Sequence, residues 1–234
     1  MPPMGTLYLV ATPIGNLSDF SPRGVEVLKS VNKIYSEDTR RTIQLLNHFQ
    51  ISKPLQSFHE HNEDQIAPIV LNELQSSDIA LVSDAGTPTI SDPGFKLVRE
   101  ATKAGDSVIS IPGPNAALLA LSVSGLPTDK FAFIGFLPKK DGPKRRLLEE
   151  VKTWPVSTIF YESPYRLKET LQTLQAVLGD REASVSRELT KVHEETVRGR
   201  LSELLSQFSG SVKGEITIVV AKDDAGSPPP SAAA

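Results

Sequence analysis

The chain has 234 residues, 39% hydrophobic and 23% charged, with a formal net charge of −3. That length supports one large domain or two small ones with a substantial core, and the mild charge gives no global signal for nucleic acid, although a local basic patch is enough to bind RNA. With no cysteine, disulfides, thiolate nucleophiles and thiolate-bound metals are excluded. Of the four histidines (His48, His59, His61 and His193), only His59 and His61 lie close together, with no evident third ligand, so no metal centre is expected. No basic, apolar leader opens the sequence, and no apolar run nears the ~18 residues of a membrane span. The expectation is a cytoplasmic protein without a membrane partner.

The first apolar strand is Leu7-Tyr8-Leu9-Val10. Ser21 and Pro22 open a helix reaching Val31, with Ser21 as N-cap. A short strand at Ile34-Tyr35 leads to a helix over 39–48. Residues 55–58 alternate like a strand, and a helix near 64–74 precedes the apolar strand Ile79-Ala80-Leu81-Val82. The loop over 83–94 follows, a run of Gly, Pro, Asp, Ser and Thr longer than a turn requires. Asp92 reads as the N-cap of the next helix and Pro93 as its first residue. Residues 108–111 form another strand. This alternation predicts an α/β fold with a mostly parallel sheet.

The second half reads differently. Strands at 131–137 and 157–161 flank a basic helix, and a helix spans about 164–178. Strands at 183–187, 195–199 and 215–221 follow, with a helix over 201–208 between the last two. Strands close in sequence predict an α+β unit with antiparallel pairing. The expected domains are 1–116 and 117–222, followed by a tail over 223–234 too rich in Pro, Ser and Ala to fold.

Gly/Pro/polar clusters fall at the strand ends. They are Ala11-Thr12-Pro13-Ile14-Gly15-Asn16-Leu17, the loop over 83–94, Pro112-Gly113-Pro114-Asn115-Ala116, Tyr161-Glu162-Ser163-Pro164 and Arg187-Glu188-Leu189-Thr190-Lys191. Singly, each is a turn. Together, on strands pointing one way, they would converge in a cleft between two domains, a common ligand position. None is a phosphate-binding Walker loop or a dinucleotide Gly-x-Gly-x-x-Gly turn.

Glu37-Asp38-Thr39-Arg40-Arg41 is a second feature. Acids suit a helix start and Asp38 suits a cap, but adjacent arginines there suit an anionic ligand better than a helix dipole. Lys139-Lys140 and Lys144-Arg145-Arg146 read equally as a solvated helix face or an RNA contact. Glu37, Glu60 and His61 are candidate proton acceptors, although His59 and His61 also fit an ordinary surface loop.

Taken in order, these clusters, with Gly135-Phe136-Leu137-Pro138 and Phe160-Tyr161-Glu162-Ser163, resemble the bacterial ribosomal RNA small-subunit methyltransferase I family of the tetrapyrrole methylase superfamily. The resemblance runs from about Gly5 to Ala221, with Asn115 standing where Ser or Cys is expected. It implies a two-domain fold holding S-adenosylmethionine in the interdomain cleft. It also implies a homodimer that methylates a ribose 2′-hydroxyl of a cytidine in 16S rRNA of the 30S subunit. By the same resemblance, Pro13, Asp84, Ala85, Gly86, Thr87, Asn115, Ala116, Tyr161, Glu162, Arg187, Glu188 and Leu189 bind the cofactor. Arg40, Arg41, Lys139, Lys140, Arg145, Arg146 and Lys191 would meet RNA. The alternatives are a tetrapyrrole or diphthine-type methyltransferase of the same superfamily, and a non-catalytic RNA-binding protein that keeps the fold.

Overall fold

The computed structural model describes residues 5–223. The tail over 224–234 lies outside the described residues. The chain divides into two compact units, Met1–Asn115 and Ala116–Ala234.

The first unit runs β1 (Thr6–Val10), α1 (Pro22–Ser30), β2 (Lys33–Ser36), α2 (Thr39–His48), β3 (Leu55–Ser57), α3 (Glu63–Glu73), β4 (Ile79–Val82), α4 (Phe95–Ala104) and β5 (Ser107–Ile111). All strand pairs are parallel, in the order β3-β2-β4-β1-β5. Every residue of β4 is buried. Ile79 and Leu81 join Leu97 of α4 and Val70 of α3 on one face, while Ala80 and Val82 join Leu28 of α1 and Leu46 of α2 on the other. A strand covered on both faces has no reason to alternate, which accounts for its unbroken apolar run.

This order creates a switch point. From β1 the chain crosses through α1 toward β2, whereas from β4 it crosses the opposite face through α4 toward β5. The loops after the adjacent strands β1 and β4 therefore leave in opposite directions, and in such sheets the crevice at the strand carboxyl ends is where ligands bind.

Helix starts follow local chemistry in two cases. Ser21 Oγ accepts the Gly24 N–H at 3.0 Å and Asp38 Oδ1 accepts the Arg40 N–H at 2.9 Å. A third departs from expectation. The helix after the β4 loop starts at Phe95, so Asp92 is not its cap and Pro93 is not its first residue. The backbone takes φ values of 74° at Thr89, 63° at Ser91 and 121° at Gly94 before the helix begins. Asp92 instead pairs with the Ser83 side chain, and the N-cap is Gly94, whose N–H donates to Glu63 Oε1 at 3.2 Å.

The second unit runs α5 (Ala116–Val123), β6 (Phe131–Phe136), α6 (Asp141–Val151), β7 (Ser157–Glu162), α7 (Leu167–Leu178), β8 (Glu182–Arg187), β9 (Glu195–Arg200), α8 (Leu201–Gln207) and β10 (Ile216–Val220). Its sheet order is β6-β7-β10-β8-β9. Three pairings are antiparallel as expected, but β6 and β7 are parallel, because α6 carries the chain back between them. Leu148, Leu171, Leu174 and Leu204 from the helices close the core over Phe160, Val185 and Ile218. The helix after β7 starts at Leu167 rather than Pro164, because Arg166 N–H closes a turn onto Ser163 O at 3.0 Å. Among the described residues, no helix is long and apolar enough to cross a membrane.

Gly94→Ala should lower stability by about 2 kcal/mol. A side chain there meets a positive φ, and its Cβ would lie 2.7 Å from Leu81 Cδ2. Urea unfolding tests this; an unchanged midpoint would contradict it.

Candidate functional site

At the switch point the loops after β1 and β4 are joined. Thr12 N–H donates to Gly86 O at 2.8 Å, and Gly86 N–H returns the bond to Thr12 O at 3.0 Å. Thr12 Oγ1 donates to Ser83 O at 3.1 Å, and Ser83 Oγ shares its one hydrogen between Gly86 O, at 2.9 Å, and the Asp92 carboxylate. Gly86 sits at φ 88°, a conformation that side chains disfavour, so the bridge depends on glycine. Thr87 Oγ1 reaches Pro114 O at 3.5 Å, which draws the loop after β5, ending at Asn115, toward the same edge. Ala85 is exposed beside the bridge.

A cavity of about 200 Å³ opens beside these loops. Pro13, Leu17 and Leu45 give it apolar walls, and Arg41, Gln44, Ser83 and Asp84 give it polar ones. It brings together Pro13 and Asp84, expected to bind cofactor, and Arg41, expected to meet RNA.

The carboxylates here are crowded. Asp84 Oδ1 accepts the Asp38 N–H at 2.8 Å, and Oδ2 lies 3.8 Å from Arg41 Nη1. Burial, reinforced by the charges of Asp84 and Glu60, raises the Glu37 carboxyl. Burial, with the charge of Glu37 added, pushes Asp92 up to about 6 against the pull of its Ser83 hydrogen bond. Arg40 is exposed and clamps Asp38 through Nε at 3.0 Å and Nη2 at 2.7 Å, holding that carboxyl down at about 2. Glu60 and His61 lie exposed on the turn after β3, with their polar atoms 3.4 Å apart. Among the described residues, no three His, Cys, Asp or Glu side chains are placed to hold a metal ion.

In the second unit, the strand register puts its predicted residues on one sheet edge. Phe136 pairs with Tyr161, while Glu162 and Arg187 both lie opposite Ile216, one on each side of β10. Lys139 and Lys140 are exposed just beyond β6, and the Tyr161 ring packs edge-on to Phe133 and Phe136 at 4.8 and 5.6 Å. Ala116 opens α5.

Several side chains expected to touch ligand are engaged internally. Glu162 is 2% exposed; Oε1 accepts the Ser163 N–H at 2.7 Å and pairs with Arg166 at 2.6 Å, and Oε2 accepts Thr170 Oγ1 at 2.6 Å. Its carboxylate is structural. Arg187 pairs with Glu195 at 3.0 Å. Glu188 Oε1 accepts from Lys191 at 2.9 Å and from the Glu215 N–H at 3.0 Å, which holds its carboxyl low, and Lys191 also pairs with Glu215. Leu189 is buried. Arg145 pairs with Asp141, and Arg146 is exposed. Lys144, read with them as a surface cation, is fully buried against Glu169.

The family model for Tetrapyrrole (Corrin/Porphyrin) Methylases matches residues 6–205. The chain belongs to that family. Within it, the chain is 51% identical over 218 residues to Ribosomal RNA small subunit methyltransferase I of Halalkalibacterium halodurans, covering 92% of this chain and 75% of that one. It is 48% identical over 219 residues to the protein of the same name in Bacillus subtilis, covering 93% and 75%. Among solved structures, diphthine synthase superposes with a TM-score of 0.73 at 16% identity, over 93% of this chain and 90% of that one. The uroporphyrin III C-methyl transferase of Thermus thermophilus gives 0.64 at 16% identity, over 92% and 97%. These two show the tetrapyrrole methylase fold.

Asp92 and Gln44 join the site without having been singled out for it. Asp92 carries a consequence for pH. Its carboxyl is raised from 3.8 to about 6 in the fold, so the folded chain binds the extra proton between those values. The associated stability is present below about pH 4 and is lost as pH rises through about 6. Asp92→Asn should therefore gain on the order of 1 kcal/mol over wild type at neutral pH, a figure reduced for solvent screening, and little at acid pH. Melting temperatures across that range test this; parallel profiles would contradict it.

Proposed function

We propose that this chain transfers a methyl group from S-adenosylmethionine to the ribose 2′-hydroxyl of a cytidine in 16S rRNA, with the 30S subunit as substrate. The observation that carries the reading is the cavity in which Pro13 and Asp84 meet Arg41. Close identity to proteins named ribosomal RNA small subunit methyltransferase I supports the choice of substrate. A cytoplasmic homodimer belongs to the same reading.

The residues fit such a cofactor. Apolar walls from Pro13 and Leu17 suit a base, and the acids Glu37, Asp84 and Asp92 favour a cationic ligand. When bound, the cofactor supplies a methyl carbon activated by a positively charged sulfur. The protein then has to orient a poor nucleophile, and orientation alone contributes about 7–11 kcal/mol in favourable cases. Arg40 and Arg41 hold RNA phosphate, since the clamp on Asp38 engages only part of the Arg40 guanidinium. Glu37 accepts the hydroxyl proton. It is half-buried, with its carboxyl raised by that burial, whereas Glu60 and His61 stand out in solvent.

A tetrapyrrole or diphthine-type substrate is supported by fold alone, at 16% identity. Labelled methyl donor should mark the RNA of purified small subunits and leave a precorrin unmarked; the reverse pattern would overturn the reading. Asp84→Ala should weaken cofactor binding at least tenfold by calorimetry, and unchanged affinity would remove Asp84 from the site. Arg40→Ala should raise KM for subunits while sparing cofactor affinity, and the opposite split would reject its phosphate role.

A further inference from the structure

Tyr165 is 94% exposed, on the turn between β7 and α7. Among the described residues no hydrogen bond or ring contact engages its side chain, yet its mount is rigid. The buried Glu162 carboxylate binds Ser163 N–H, Arg166 and Thr170 around it, Arg166 N–H closes the turn onto Ser163 O, and Arg166 Nη1 reaches across to Leu137 O at 3.4 Å. That last bond ties the turn to the loop after β6, which carries Lys139 and Lys140. The parallel pairing of β6 and β7 sets both loops on the same sheet edge.

The charges nearby are equally unexplained by the fold. Lys140 is the N-cap of α6 and Lys168 lies in the first turn of α7, where a cation opposes the helix dipole. Lys139, Lys140 and Lys168 are exposed and form no ion pair among the described residues. The neighbouring acids are already matched, Asp141 by Arg145, Glu169 by Lys144 and Glu162 by Arg166. A bare ring held firmly among unmatched cations is what an unpaired nucleic-acid segment requires, with a base on the ring and phosphates on the lysines.

We infer that Tyr165 is a stacking platform for an unpaired base of the RNA substrate, flanked by phosphate contacts from Lys139, Lys140 and Lys168. This rests on the RNA-methylating function proposed above and assigns it a substrate-positioning residue on the second unit. The cations favour RNA over the surface of a second copy as the occupant of this edge.

The test uses full-length protein with Tyr165→Ala, Tyr165→Phe and Tyr165→Trp. Two probes are needed: purified small ribosomal subunits, and a single-stranded RNA oligonucleotide carrying 2-aminopurine. Tyr165→Ala should raise KM for subunits about tenfold and leave kcat, cofactor affinity and melting temperature unchanged, while Phe and Trp restore wild-type KM. Wild type should quench the fluorescent base on binding, and the alanine variant should not. Wild-type KM and quenching in Tyr165→Ala would overturn the inference. So would a KM rise that follows loss of dimer in sedimentation, which would assign the ring to a second copy. If wild type methylates no RNA, the functional reading fails, while the quenching comparison still decides whether Tyr165 stacks on a base.

Discussion

The paired hydrogen bonds between Thr12 and Gly86 are the constraint on which the candidate site depends. The sheet order sends the loops after β1 and β4 to opposite faces, and left to themselves they would part. One antiparallel bridge, made between two loops of an otherwise parallel unit, keeps them in register. Each bond is worth about 1 kcal/mol net, but Thr12 and Ser83 are buried, so leaving their polar groups unmatched would cost more than the bonds contribute. From that fixed bridge, Asp84 can reach the Asp38 N–H, and the start of α2 is set against the same cavity.

The strands and most helices were legible because burial imposes a period on the side chains, and because Ser21 and Asp38 act on backbone groups two or three residues away. The overlong loop after β4 was legible by length and composition. What escaped reading was non-local. Asp92 followed by Pro93 has the local form of a helix start, yet its carboxyl is drawn to Ser83, and the helix waits for a glycine whose N–H is met by Glu63, 31 positions earlier. Glu162 sits in a motif that resembles a ligand contact, and only burial shows that its charge is spent on Arg166 and Thr170. Lys144 reads as one more cation in a basic run, although its side chain points inward.

The same contrast separates two kinds of charge in this molecule. Lys191 pairs with both Glu188 and Glu215 and braces a loop that passes through positive φ at Glu188 and Thr190. Glu37, Asp84 and Asp92 share one neighbourhood with Arg41 as their nearby cation, and burial keeps water from screening the excess. In the first group each carboxylate is met directly by the same ammonium. The second is an excess of negative charge, which together with burial raises the Glu37 and Asp92 carboxyls.

The turn that carries Tyr165 has a further consequence in entropy. A flexible loop must be ordered when its partner arrives, and that cost is subtracted from the affinity. Here the ordering is done during folding, by a carboxylate sealed beneath the turn and three groups that bind it. Whatever settles on the ring meets a surface already in its final shape. Recognition at this edge is therefore governed by shape and charge at first contact, and departure by how well the contact fits.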